Sequence, residues 1–283
     1  MDVTFAHAAG SRHSEDWIAT SPEAVVLLDG LSTPEGVPTG CRHGTPWYVR
    51  RLGTRLLQLL ATHPDRTLGE ALAGAIQTVA HSHADTCDLS HPGMPSATVA
   101  LLRAGPTDTQ CLVLSDALIV LDTSEGIEIL TDPAVDKVAA EQRGAVLRER
   151  IGTPEHTLAK QAMVTEQQRH RNVPGGYWVA AANPDAATHA VIKTIPRHAI
   201  RRAAVLSDGA AALVDYGLAD WTETLDTLQH AGPAELIARI RAAEASDPLG
   251  ERWPRYKTSD DATAALCVFS SRDVSTGPRS PDV

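Results

Sequence analysis

Seven carboxylates of this 283-residue chain stand where apolar runs stop or start. Asp29 closes "AVVLLD" and Asp208 closes "AAVLSD", each followed by glycine, and Asp116 closes "QCLVLSD". Asp260 and Asp261 open the run "TAALCVF", and Glu15 and Asp16 precede "WIA". Aspartate is a poor strand former, and a charge is costly to bury without a partner. One Asp-Gly after a strand reads as a turn. Several carboxylates brought together repel, and they persist as anions only if a cation offsets them. A set of hard oxygen donors selects Mg²⁺ or Mn²⁺ over zinc. Gly30 leaves its own carbonyl free to approach an ion. The chemistry is that of a carboxylate-bound metal centre, on the condition that these runs converge.

The elements that must position them follow from the pattern of the chain. Apolar runs of strand length lie at 24–29, 96–103, 110–116, 117–122, 177–182, 189–195, 203–208 and 263–269, bounded mostly by Gly, Pro, Asp or Ser. Between them, Leu52, Leu56 and Leu59 mark a helix over 45–60, and Leu68, Leu72, Ile76 and Val79 mark another over 67–84. Asp132-Pro133 suits an N-cap and first turn, and 220–245 holds two helical stretches broken at "AGP". Strands that follow one another directly predict antiparallel sheets with helices segregated in layers. The expected organisation is one domain over 1–270, with the polar segment 141–176 as an insert or flap and 271–283 as a disordered tail.

A hydrophobic fraction of 43% and a charged fraction of 21% are those of a globular protein. The net charge of −10 argues against nucleic-acid or anionic-membrane partners. There is no glycine-rich phosphate loop, no run approaches the ~18 residues of a membrane span, and no leader precedes "MDVTFAHAAG". The four cysteines form no CxxC pair, so the expected setting is cytoplasmic with reduced thiols, and Cys111 and Cys267 belong to the core. His81 and His83 lie two apart, on different faces of a helix, which counts against a histidine metal site there.

The ordered set "SED" (14–16), "LLDG" (27–30), "SATVALL" (96–102), "LVLSD" (112–116), "LTDP" (130–133), "LSDG" (206–209) and "DDAT" (260–263) resembles the metal-dependent protein serine/threonine phosphatases of type 2C. The resemblance spans about Val3 to Phe269. It implies an α+β fold, a four-layer α-β-β-α sandwich of two antiparallel sheets packed face to face with helices outside. It also implies a two-metal Mn²⁺ or Mg²⁺ centre acting on phosphoserine and phosphothreonine in proteins. Carried across, Asp29 bridges both ions and Gly30 offers its carbonyl, while Asp208 and Asp260 hold one ion. Glu15 and Asp16 support the centre directly or through water, and Asp116 helps Asp208 hold a third, weaker ion. Arg12 stands near the place of the phosphate-binding arginine.

The sequence also departs from that pattern. Leu31 stands where the family writes the histidine of Asp-Gly-His-Gly-Gly, leaving His43 as the possible general acid. Arg12 is three residues before Glu15 rather than four, "LSDA" lacks the glycine before Asp116, and Asp261 replaces the usual asparagine. The missing histidine and the altered "LSDA" raise one alternative, a pseudophosphatase that binds without turnover; a second, a phosphatase for a small phosphorylated metabolite, is expected from the lack of an attached regulatory or sensory domain.

Overall fold

The computed structural model describes residues 1–10 and 13–269. Its first half runs β1 (Asp2–Ala8), β2 (Trp17–Thr20), β3 (Ala24–Gly30), α1 (Thr45–Thr62), α2 (Leu68–His81), β4 (Ala97–Ala104), β5 (Asp108–Leu114), β6 (Leu118–Thr123) and β7 (Gly126–Leu130). The second half runs α3 (Ala140–Arg148), α4 (Pro154–Arg169), β8 (Val191–Pro196), β9 (Ile200–Leu206), α5 (Asp208–Asp215), α6 (Trp221–His230), α7 (Pro233–Ser246) and β10 (Ala262–Val268). One sheet has the order β1-β10-β9-β6-β7 and the other β2-β3-β4-β5-β8. Every neighbouring pair is antiparallel.

The central strands are continuous apolar runs because both of their faces are buried. In β3, Val25 and Leu27 meet the opposite sheet, while Val26 and Leu28 meet the helices. The core between the sheets joins Val25, Leu27, Leu102 and Val113 to Ile119, Leu121, Val205 and Ala265, and it takes in Cys111 and Cys267 as expected. On one outer face, Leu52, Leu56, Leu72 and Ile76 of α1 and α2 cover β3, β4 and β5. On the other, Leu213, Leu225, Leu228, Leu236 and Ile240 of α5, α6 and α7 cover β6, β9 and β10. The result is the anticipated α-β-β-α sandwich. Among the described residues, no helix is long and apolar enough to cross a membrane.

Two expectations change, and the segment 141–176 takes a definite form. Residues 177–182 are not a strand: the run makes only isolated bridges, Tyr177 with Arg171 and Ala180 with Ala97, and the Tyr48 hydroxyl donates to the Ala181 carbonyl at 2.7 Å. The run is apolar because it is buried, Ala180 with the helices α1 and α2 and Tyr177 and Val179 beside Val135 and Val138. Asp132 accepts from the Ala134 amide at 3.1 Å, but the turn it caps is a short 3-10 helix over Pro133–Lys137, and α3 begins only at Ala140. Segment 141–176 is a helical pair, α3 against α4, closed around Val146, Met163 and Val164 with Tyr256 packed against them.

Candidate metal centre

The topology sends the carboxylates to one end of the sandwich. β3 reaches Asp29 and Gly30 opposite Thr98 and Ala97, where β4 begins. The chain then leaves β5 at Leu114 and crosses through Ser115 and Asp116 into β6 of the other sheet. There Leu206, the last residue of β9, pairs with Leu118 and with Ala264, next to the start of β10. Asp208 is not the end of the strand: β9 stops at Leu206 and Asp208 is the first residue of α5.

Two glycines let the walls close. A Cβ on Gly209 would lie 2.0 Å from the Asp261 carbonyl oxygen, and one on Gly30 would lie 2.4 Å from the Glu15 carbonyl oxygen. The glycine of each Asp-Gly is thus a close approach to the neighbouring carboxylate segment. The expected glycine before Asp116 is Ser115, which takes φ 68°, the left-handed conformation that glycine adopts without cost.

Each carboxyl feels the others. Burial pushes Asp29 well above the ordinary carboxylate range, and Asp16, Asp208, Asp260 and Asp116 add to it. Burial, then Asp260 and Asp116, raises Asp208 to about 8, while a hydrogen bond from Asp29 acts the other way. Crowding of the two carboxyls thus favours their protonated forms when no cation is near. Asp208 keeps an exposed face although protein packs densely around it. Asp16 is raised to about 7, chiefly by burial. Its Oδ2 accepts from the Thr263 hydroxyl at 2.6 Å, and its buried Oδ1 has no partner. Glu15 and Asp116 are also raised, in both cases first by burial.

Asp261 does something else. Its Oδ1 accepts from the Gly10 amide at 2.8 Å and its Oδ2 from the Glu15 amide at 2.7 Å. It is a clamp on the segment that carries Glu15 and Asp16, and its charge also adds to what raises both of those carboxyls.

Lys257 was not singled out by the motifs. Its ammonium donates to Asp260 Oδ1 at 2.5 Å and to Ser32 Oγ at 3.1 Å, and Ser32 in turn donates to Glu15. Burial works to lower its pKa, but Asp260, Asp29 and Asp208 outweigh that and raise it. The only sequence signal was a lysine three residues before Asp260. Lys257 also lines an adjoining cleft of about 510 Å³, together with His13, Glu15, Asp260 and, from α4, His156 and Lys160. The 141–176 segment is thus one wall of that cleft.

His43 keeps different company. Its ring stacks on Trp47 with centres 4.3 Å apart, and its Nδ1 faces the sulfurs of Cys41 and Cys87. Loss of solvation, then Arg42, His83 and Arg51, lowers its pKa, which suits a proton donor poorly. Leu31 packs beside Val135, Val138 and Tyr177. Arg12 and the tail from 270 lie outside the described residues.

The donor set fits hard divalent cations. It is all oxygen, its members repel one another, and the buried Asp16 Oδ1 accepts no hydrogen bond.

No protein-family model and no curated protein matches the sequence. Solved structures do match the fold. The Mycobacterium tuberculosis serine/threonine phosphatase PstP/Ppp superposes with a TM-score of 0.55 at 15% identity, covering 94% of this chain and 97% of that one. Serine/threonine phosphatase Stp1 from Staphylococcus aureus gives 0.53 at 12%, covering 95% of each chain. A bacterial serine phosphatase gives 0.53 at 14%, covering 97% of this chain and 100% of that one. The sandwich, its two five-stranded sheets and its helical layers are thus the fold of the bacterial serine/threonine phosphatases, the fold that the sequence motifs imply.

Proposed function

We propose that the protein is a Mn²⁺- or Mg²⁺-dependent phosphatase acting on phosphoserine and phosphothreonine in proteins. The observation that carries this reading is the buried, partnerless Oδ1 of Asp16 amid mutually repelling Asp29, Asp208 and Asp260. Asp29, Asp208, Asp260 and the Gly30 carbonyl would hold two ions, with Glu15 and Asp16 in direct or water-bridged support. Asp116 with Asp208 would hold a third, weaker one. Bound there, the ions would supply a nucleophilic water at neutral pH and offset charge on the phosphoryl oxygens.

The chain's own groups do the rest. Loading the site would release to solvent the protons that crowding favours on Asp29 and Asp208. Lys257 and Lys160 give the cleft cationic lining for a phosphate ester. Asp261 holds the Glu15 amide, so the Glu15-Asp16 pair is presented at a fixed depth.

The test is release of p-nitrophenol and of phosphate from a phosphopeptide under Mn²⁺, Mg²⁺ or EDTA. Manganese-dependent release is expected, falling on the order of 100-fold or more in Asp208→Ala with the fold retained. Equal turnover in EDTA, or in Asp208→Ala, removes the proposal. A second reading, a binding module without turnover, is favoured by Lys257, whose ammonium already balances Asp260, and by Leu31 in the place of a histidine. It gains if the folded protein binds a phosphopeptide and releases nothing under any metal.

A further inference from the structure

We propose a second metal site of different chemistry: a thiolate–imidazole site for Zn²⁺ made by Cys41, His43, Cys87 and His83. It does not depend on the phosphatase reading.

Three of the donors already face one another. The sulfurs of Cys41 and Cys87 are 3.2 Å apart, and His43 Nδ1 is 3.5 Å from the first and 3.3 Å from the second. Tetrahedral zinc, with bonds of about 2.3 Å to sulfur and about 2.0–2.1 Å to nitrogen, sets donor–donor edges of about 3.5–3.8 Å. The three donors need to spread by only about 0.6 Å at most to take that ion.

His83 stands just outside that trio of mutually close donors, and an unpaired atom marks it for the fourth place. His83 is 3% exposed, and its Nδ1 lies 2.7 Å from the Val79 carbonyl oxygen. A carbonyl only accepts, so Nδ1 carries the proton and Nε2 is left with a lone pair. That Nε2 is buried and has no hydrogen-bond partner. A buried acceptor without a partner costs free energy. An imidazole with one nitrogen donating to a backbone carbonyl and the other bare is how ligating histidines are held. The His83 and His43 rings lie edge to face with centres 5.7 Å apart, and two imidazoles on one tetrahedral ion have centres about 5 Å apart. Trp47 supports both rings, stacking on His43 and meeting His83 at 71°.

The backbone is arranged around the sulfurs as well. The His43 amide donates to Cys41 Sγ at 3.4 Å, the Arg42 amide bonds Cys87 Sγ, and the Asp88 amide donates to the Gly40 carbonyl at 2.9 Å. Amide donors to sulfur favour the thiolate, the ligating form. Two sulfurs and two imidazoles select Zn²⁺ over Mg²⁺ or Mn²⁺, and loading sends the two thiol protons to solvent. The helix-face rule that set aside His81 with His83 does not reach this set, because its ligands come from two separate segments. Cys41 and His43 end the connection from β3 to α1, while His83 and Cys87 follow α2. The first of these segments lines the cleft through Ser32, Thr33, Pro34 and Glu35. Zinc would staple that wall to the end of α2.

The test titrates the reduced, metal-stripped full chain with Co²⁺ and then Zn²⁺. The readout is the sulfur-to-cobalt charge-transfer band and the intense visible bands of tetrahedral cobalt, which an all-oxygen site does not give. One equivalent of Co²⁺ should produce them and Zn²⁺ should displace it. The bands should vanish in the Cys41→Ser, Cys87→Ser double variant, persist in Asp208→Asn, and need at least about tenfold more metal in His83→Gln. A folded, fully reduced chain that gives no sulfur-to-cobalt band overturns the site. So does a Cys41–Cys87 disulfide that forms in air despite zinc. Unaltered affinity in His83→Gln overturns the fourth ligand. Circular dichroism of each variant separates loss of ligand from loss of fold.

Discussion

Asp261 shows how one side chain can look like part of the chemistry and belong to the scaffold instead. From sequence it is a second negative charge beside Asp260. In the structure both of its oxygens accept backbone amides, from Gly10 and Glu15. An asparagine has one acceptor oxygen and an NH₂ group, so Asp261→Asn would leave one amide facing another donor. Leaving such a donor unsatisfied costs about 1–3 kcal/mol, which at this chain length lowers Tm by about 2–4 °C per kcal/mol. We expect Asp261→Asn to lower Tm by several degrees in EDTA and to weaken Mn²⁺ binding through the displaced Glu15-Asp16 pair. An unchanged Tm would show that the clamp contributes nothing. The substitution restores the asparagine usual at this place in the type 2C pattern, so a family-based expectation points the opposite way. The motifs could find carboxylates, because aspartate at the end of an apolar run is conspicuous. They could not find Lys257 or His83, whose roles depend on what lies across a fold boundary.

At the scale of elements, legibility followed the apolar runs, most of them buried, with the exposed edge strand β8 legible as well at 189–195. β3, β4, β5, β6, β9 and β10 lie inside the sandwich and stand out as apolar runs, because both faces are covered. β1 and β7 are the edges of one sheet, and their alternation is diluted by exposed positions, so "DVTFAHA" and "GIEIL" do not stand out as strands in the sequence. α5 was missed because it is eight residues long and has no side-chain cap. Its place matters more than its length, since it begins on Asp208. Gly209 seats it against the entry to β10, where a Cβ would meet the Asp261 carbonyl oxygen at 2.0 Å and Asp260 Cβ at 3.3 Å. Backbone cannot yield as a flexible side chain does, so Gly209→Ala must move α5 or β10. Overpacking of this kind costs about 1–3 kcal/mol or more. We expect a Tm drop of several degrees, and a loss of Mn²⁺ affinity larger than that drop alone explains. Wild-type affinity in a destabilised Gly209→Ala would show that the approach of the two segments does not set the site.

At the scale of the whole molecule, the centre exists only when the sandwich is closed. Asp29 comes from one sheet, Asp208 and Asp260 adjoin strands of the other, and Asp116 lies on the crossing between them. Folding therefore brings the carboxylates together, and it shows in how stability depends on pH. An unfolded aspartate titrates near 3.9, whereas in the folded chain Asp16 is raised to about 7 and Asp208 to about 8, with Asp29 well above the ordinary range. Between these limits the folded state holds protons that the unfolded state has released, so unfolding free energy falls as pH rises. In EDTA, Tm should be highest on the acid side, near pH 5, and decline toward about pH 8. Divalent metal works in the other direction. It binds the deprotonated site, so the Mn²⁺-induced rise in Tm should grow across the same interval. Asp208→Asn removes one of the raised groups and should flatten the decline in EDTA while erasing most of the Mn²⁺ response. Scans of Tm against pH with EDTA or Mn²⁺, for both proteins, decide the matter. A Tm that climbs with pH in EDTA would mean that the carboxylates are ionised and already compensated by the chain itself, with Lys257 the first group to examine.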